Sequence, residues 1–384
     1  MSRTRQRKTV PFAHGFKLPD QSAIEKALGT FDDATLESVF NENFYKTFDS
    51  LPFPKKPWDW LAQYIERGQT YAEHLQLSRT LNTPASSNRK SIYLTIIGEI
   101  DYSIFDINSL VEYTQRFFQM PVKLIHPFMD FQLDDNTYQW TCKKLTKSAD
   151  EKSQTFNLRT RYNEKPKHCQ VHVTSILNLL TKVVPEDAKC LVALTMLDLY
   201  SDDTDLFIAG LARGNSRVAV FSLYRYDPYL SFNESDWFSC KMKTASKSEE
   251  EMTKRRKLLL LRACRLLTHE ICHLFGIAHC IFYSCLINGS GHLDEDFSQP
   301  LLECPVDLRK LHTLIQFDIQ DRYEQLLEFF KIHKFQNELE SVQTKLNVIN
   351  QSMNSNTSTA KRKHDHYTAT SDSRLRSSKR LAKC

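Results

Sequence analysis

The sequence predicts an α/β (α+β) fold, a mixed sheet flanked by helices, on three observations. Two short, continuous apolar runs, Ser91 to Gly98 and Lys189 to Thr195, have the length and composition of strands buried on both faces. Segments with apolar residues at three- and four-residue spacing lie around them, as amphipathic helices require. The order of strand, helix and strand from Ser91 to Ile125 is that of a parallel crossover unit. With 384 residues, 41% of them hydrophobic and 25% charged, the chain can bury a sizeable core, and its nine glycines leave little room for low-complexity sequence over most of its length.

Residues 1–88 read as an N-terminal extension with a basic start, short helices and a proline cluster from Leu51 to Trp58. It closes on a polar linker from Asn82 to Asn88. A domain spanning 89–335 follows. After the first strand, Leu110, Val111, Tyr113, Thr114, Phe117 and Phe118 mark a helix over Asp106 to Met120, and Pro121 to Ile125 forms the next strand. The lysine-rich stretch from about 130 to 165 reads as a surface excursion. Val173 to Val183 suits a helix, Lys189 to Thr195 a buried strand, and Asp198 to Asp205 a charged loop. Leu206 to Ala212 and Val218 to Leu223 read as strands joined by the hairpin-like Arg213 to Ser216. Lys241 to Lys254 reads as a second charged excursion, before a helix from about Arg255 to Phe275. Asp307 to Lys334 reads as one closing helix. Leu339, Val342, Leu346 and Ile349 continue its spacing, too briefly to count as a coiled coil. Residues 336–384 thus comprise a C-terminal helix and a disordered basic tail.

The chemistry concentrates in residues 269 to 279, His-Glu-Ile-Cys-His-Leu-Phe-Gly-Ile-Ala-His. Residues four apart share one face of a helix, so His269 and His273 can offer ring nitrogens to one zinc ion while Glu270 projects beside them. Gly276 tolerates the left-handed backbone that turns the chain, which lets His279 return as third ligand and keeps a fourth position open for water. From the composition, five fixed residues at these offsets arise by chance on the order of once in ten million starting points. An open zinc position implies hydrolysis, with Glu270 taking a proton from water and passing it to the leaving amine.

The ten cysteines are scattered through a long chain, which favours reduced core thiols. Cys280, Cys285 and Cys304 directly follow the histidine motif and are candidates for a second, structural zinc, with Asp307 standing where a zinc knuckle would place a cysteine. His292 and His312 are candidate substitutes for the fourth ligand. No apolar run of about 18 residues occurs, and the basic start has no hydrophobic stretch behind it, so the sequence points away from secretion and a membrane and towards the cytoplasm, the nucleus or both. The formal charge of +5 is concentrated at the ends. Lys361-Arg362-Lys363 and Arg374 to Arg380 resemble a bipartite signal for an import receptor, and no recognised nucleic-acid-binding motif accompanies them.

The zinc motif continues as His279-Cys280-x4-Cys285-Leu286-Ile287 with Cys304-Pro305 beyond, and there it resembles the archaemetzincins, zinc metallopeptidases of the metzincin clan. Arg89 to Gly98, Pro185 to Ala188 with Thr195 to Tyr200, and Phe221 to Tyr226 are similar to segments of the eukaryotic members. The resemblance covers roughly residues 85 to 335. It implies a metzincin-like zinc peptidase domain with a mixed upper sheet, an active-site helix and a helical lower part. It also implies a peptide or protein substrate and an edge strand that pairs with it, best matched by Leu206 to Ala212; the motif itself allows either an aminopeptidase or an endopeptidase. Two positions depart from the family pattern: Ile287 stands where metzincins place a methionine under the zinc, and Asp307 replaces the fourth cysteine of the structural site. A zinc-binding protein of the same fold with little turnover is the alternative reading, and a nuclear interaction protein acting through its tail is a third.

Overall fold

The structure, a computed structural model, describes residues 10–81, 88–125, 129–134, 139–144, 155–163, 168–233, 236–242 and 248–352. The basic tail and the basic start lie outside the described residues, as does most of the linker.

Short helices open the chain, each started by a side chain that satisfies a free backbone amide. Asp20 accepts from Ala23 N at α1 (Gln21–Leu28), Asp33 from Thr35 N at α2 (Ala34–Val39), and Asn41 from Phe44 N at α3 (Glu42–Tyr45). Two more follow, α4 (Trp60–Gln63) and α5 (Tyr71–Leu81). Ala27, Leu28, Val39, Phe40, Phe44 and Leu51 from this region are buried in the same core as the helix that carries His269 and His273.

The central sheet has the order β10-β11-β8-β1-β2. All seven residues of β1 (Ser91–Ile97) are buried, as an apolar run covered on both faces should be. α6 (Ile107–Phe118), capped by Asp106, carries the chain to β2 (Val122–Ile125), which lies parallel to β1 as expected. The stretch expected as a surface excursion instead forms strands. β3 (Met129–Asp134) and β4 (Gln139–Lys144) pair antiparallel, β5 (Thr155–Asn157) joins β4, and β6 (Thr160–Asn163) pairs with β7 (His168–His172). The polar, lysine-rich composition hid these hairpins, although Met129, Phe131 and Leu133 alternate with polar residues as in a strand.

α7 (Val173–Thr181) leads to β8 (Ala188–Thr195), parallel to β1, and then to the short β9 (Leu199–Tyr200). Alternate residues of these strands feed separate cores, as the two-residue period of a strand dictates. Ile92, Leu94, Val192 and Leu194 face α6 and the motif helix, whereas Tyr93, Ile97, Leu191 and Ala193 face α7. The expected strand Leu206 to Ala212 is realised as β10 (Gly210–Arg213), with a lone bridge between Ile208 and Leu199 ahead of it. β10 runs antiparallel to β11 (Val218–Ser222) and forms the sheet's edge.

A further hairpin, β12 (Leu230–Asn233) and β13 (Asp236–Met242), occupies part of the region expected to be irregular. The motif helix α8 (Glu249–Leu274) begins six residues earlier than expected. Ser248 caps it, and three glutamates in its first turn complement the helix dipole, so half of the supposed charged excursion is helical. Below it lie α9 (Leu293–Ser298), α10 (Pro305–Ile315) and α11 (Ile319–Ile332). The single closing helix is thus two: Gln316 adopts φ +63°, ending α10, and Asp318 caps α11 by accepting from Asp321 N. A last helix, α12 (336–352), buries Val342, Leu346 and Ile349 against the chain's own core.

Candidate metal centre

The last turn of α8 brings His269 and His273 edge to face, with their Nε2 atoms 2.9 Å apart. The helix stops at Leu274. Gly276 takes φ +77°, the left-handed turn anticipated for it, and Ile277 N folds back to donate to Cys272 O. This returns His279, whose ring centroid lies 5.6 Å from that of His269 and 5.0 Å from that of His273. One ligand nitrogen from each ring lies within 4.8 Å of the others.

The opposite edge of each ring is already engaged. His269 Nδ1 meets Leu286 O at 2.9 Å, His273 Nδ1 meets Ile277 O at 2.7 Å, and His279 Nδ1 meets Glu66 Oε1 at 3.0 Å. A carbonyl only accepts, so the first two rings carry their proton on Nδ1 and point bare Nε2 lone pairs at each other. A cation between them relieves that repulsion. Zinc–nitrogen bonds of about 2.1 Å in a tetrahedral site require nitrogens about 3.3 Å apart, a small opening from 2.9 Å, so the donor set fits zinc. Burial, then the neighbouring rings, hold His269 well below the ordinary histidine range, and burial pushes His273 down to about 4. Both are neutral, the form that binds metal.

Glu270 is buried beside this cluster, and burial followed by the nearby Asp296 carboxyl pushes it up to about 8. Asp296 accepts a short hydrogen bond from the Tyr226 hydroxyl. Across from Glu270 stands Gly210 of the edge strand, where an added Cβ would lie 2.7 Å from Glu270 Oε1. A cleft of about 630 Å³ opens beside them, lined by His269, Glu270, His279 and Gly210 and also by Trp60 and Tyr64.

Beneath the rings, Leu286 O receives His269, and the buried Ile287 next to it accepts from Cys280 N through its carbonyl. Asn288 ties this turn together, donating to Cys280 O and Tyr283 O and accepting from Cys285 N.

The second cluster assembles as the sequence suggested. Cys280, Cys285, Cys304 and Asp307 are all buried with their ligand atoms within 4.8 Å of one another. Cys280 Sγ lies 3.5 Å from Cys304 Sγ, and Asp307 Oδ2 lies 3.2 Å from Cys285 Sγ and 3.4 Å from Cys304 Sγ. Backbone amides of Phe282 and Cys304 point at the Cys280 and Cys285 sulfurs, while burial pushes the Cys285 thiol well up. Asp307 Oδ1 accepts from the buried Lys310 Nζ at 2.8 Å. Thus the aspartate arrives with its own counter-charge, one helical turn along α10. The candidate substitutes are elsewhere. His292 caps α9 and meets Asp59 Oδ1 at 2.7 Å, its two nitrogens both taken, while His312 packs edge-on against Phe317.

Several contributors were not foreseen. Lys310 could have been read from its spacing to Asp307. Gly210, Asp296 and Glu66 carry no local signal, because each reaches the motif across the fold.

The chain is 32% identical over 317 residues to archaemetzincin-2 of Macaca fascicularis, an alignment spanning 77% of this chain and 79% of that protein. It is 33% identical over 311 residues to archaemetzincin-2 of Mus musculus, again across 77% and 79%. Among solved structures it is similar to the archaemetzincin of Methanopyrus kandleri, with a TM-score of 0.38 and 20% identity over 60% of this chain and 98% of that one. No family model matches.

Proposed function

The chain belongs to the archaemetzincin family of zinc metallopeptidases, and on that premise we propose that His269, His273 and His279 hold its catalytic zinc and that Glu270 is the general base and acid of peptide-bond hydrolysis. The observation that carries this reading is the convergence of the three rings, each with its far nitrogen occupied, next to a buried carboxylate that opens on the same cleft. Zinc, when bound, supplies Lewis acidity that polarises the scissile carbonyl and acidifies water. The chain's own groups do the rest. Glu270 accepts one proton from the attacking water, and the same carboxyl then gives that proton to the departing amine nitrogen as the carbon–nitrogen bond breaks. Leu286 O, Ile277 O and Glu66 keep the rings in the ligating tautomer. Gly210 leaves the space Glu270 needs.

Aminopeptidase-like cleavage is the finer reading, supported by the acidic Asp205 in the cleft wall, a partner for a free α-ammonium group. N-acetylated peptides should then be poor substrates beside their free counterparts. Cys280, Cys285, Cys304 and Asp307 are proposed to hold a structural zinc, with Lys310 offsetting the extra carboxylate charge. Among the described residues no helix is long and apolar enough to cross a membrane. We assign the tail, Lys361 to Lys363 and Arg374 to Arg380, to an import receptor, and a protein lacking residues 357–384 should lose nuclear signal.

A zinc-binding protein with little turnover is the second reading, favoured by Ile287 and Asp307. Glu270→Gln separates the two: it should keep zinc while hydrolysis of a peptide library falls by about 10²–10⁴-fold. Equal cleavage by wild type and variant sinks the role given to Glu270, and a zinc-loaded wild type that cleaves nothing supports the second reading.

A further inference from the structure

The third ligand is completed by a segment that lies outside the motif and some two hundred residues before it. Glu66 Oε1 meets His279 Nδ1 at 3.0 Å and also accepts from Trp60 Nε1 at 2.8 Å. The same segment clamps the return loop at three more points. Gln69 Nε2 donates to Gly276 O at 2.9 Å, Ala278 N donates to Gln69 Oε1 at 3.3 Å, and His74 Nε2 meets Phe275 O at 3.1 Å. The approach is close enough to demand glycine. Gly68 has φ +67°, and a Cβ there would lie 2.7 Å from Ile281 Cγ1 and 2.9 Å from Phe282 Cζ. A Cβ on Gly289 would strike the Trp60 indole, and one on Gly291 the carbonyl of Trp58.

From this geometry we propose that Glu66 is the positioning carboxylate of His279, fixing the ring with its Nε2 turned to the metal and raising its basicity, with Trp60 holding Glu66 in turn. The inference rests on the zinc reading above. His269 and His273 take their second hydrogen bond from neutral carbonyls supplied by the motif region itself, whereas His279 alone is answered by a charged group from the N-terminal segment. Loss of such an outer partner typically weakens metal binding 10- to 100-fold.

The test is zinc affinity by chelator competition on the full chain, with cobalt substitution as a spectroscopic readout. His279→Ala fixes the background from the cysteine cluster. Glu66→Ala should bind zinc at the histidine site about 10- to 100-fold more weakly and change the cobalt d–d bands. Glu66→Gln keeps an oxygen acceptor without the charge and should fall between Ala and wild type, as should Trp60→Phe, which removes the supporting N–H and trims the ring that meets His279 edge-on. Should Glu66→Ala fail to fold, Glu66→Gln and Trp60→Phe decide the matter. Wild-type affinity and cobalt spectra in all the folded variants overturn the proposal. A wild-type chain that binds no more zinc than His279→Ala overturns the zinc reading itself, and this inference with it.

Discussion

Ile287 shows what a single residue can change beneath a metal without touching it. It is fully buried, and it reaches the site through the backbone: its carbonyl accepts from Cys280 N while the preceding carbonyl receives His269. A side chain that only fills the floor is exchangeable for another of similar bulk at a cost below about 1.5 kcal/mol. Ile287→Met should therefore leave zinc affinity and kcat within about tenfold, and melting within a few degrees. A much larger gain in kcat would mean that the methionine sulfur contributes chemistry that isoleucine lacks. The convergence of His269, His273 and His279 was legible, since histidine spacing on a helix and a glycine turn are local properties. Glu66 and Gly210 were not, because their proximity to the motif is set by tertiary packing.

At the scale of elements, the legible ones were those whose faces differ in polarity. β1 and β8 announced themselves by continuous apolar runs, and α6 by its spacing. The hairpins β3–β4 and β12–β13 were missed although Met129, Phe131 and Leu133, and Leu230 and Phe232, alternate with polar residues as strands do, because the charge-rich sequence around them was read as irregular. The break between α10 and α11 rests on one residue in a left-handed conformation, Gln316, which is no glycine and so gave no sign. α12 holds a charged group in an unusual place. Lys345 is buried, donating to Thr47 O at 3.2 Å and Ser341 Oγ at 2.9 Å, and burial pushes it down to about 8 from 10.5. A lysine whose folded value is lowered binds fewer protons folded than unfolded between those limits. Its stabilisation is full above about 10.5 and is lost as pH falls through about 8. The unfolding free energy of wild type relative to Lys345→Met should accordingly rise by roughly 2–3 kcal/mol from pH 8 to 10.5. A pH-independent difference would show that Lys345 reaches water.

Across the whole molecule, residues before 89 share one core with the sheet and the lower helices: Phe44 packs near Tyr323, Arg309 donates to Leu28 O and Thr30 O, and Trp60 lines the cleft. Two of the clusters of potential ligand groups in this assembly are the three rings, half-buried at the cleft, and the three thiols with a carboxyl, fully buried. Ions that bind only the folded form add stability as the logarithm of their saturation, about 4 kcal/mol at a thousandfold excess over Kd. Stripping metal with a chelator should therefore lower the melting temperature by about 5–10 °C and zinc should restore it, with Cys304→Ala abolishing most of the shift that His279→Ala leaves. An unchanged melting temperature on chelation would show that neither cluster holds an ion.

The joining of Gln69, His74 and Glu66 to the loop at 275–279 also sets an order of events. On the ribosome the first partner emerges some two hundred residues ahead of the second, and must wait for it. The ion's pocket is finished only when the two ends of this long stretch meet. On the zinc reading proposed above, a nascent or misassembled chain would therefore hold the ion more loosely than a correctly assembled one.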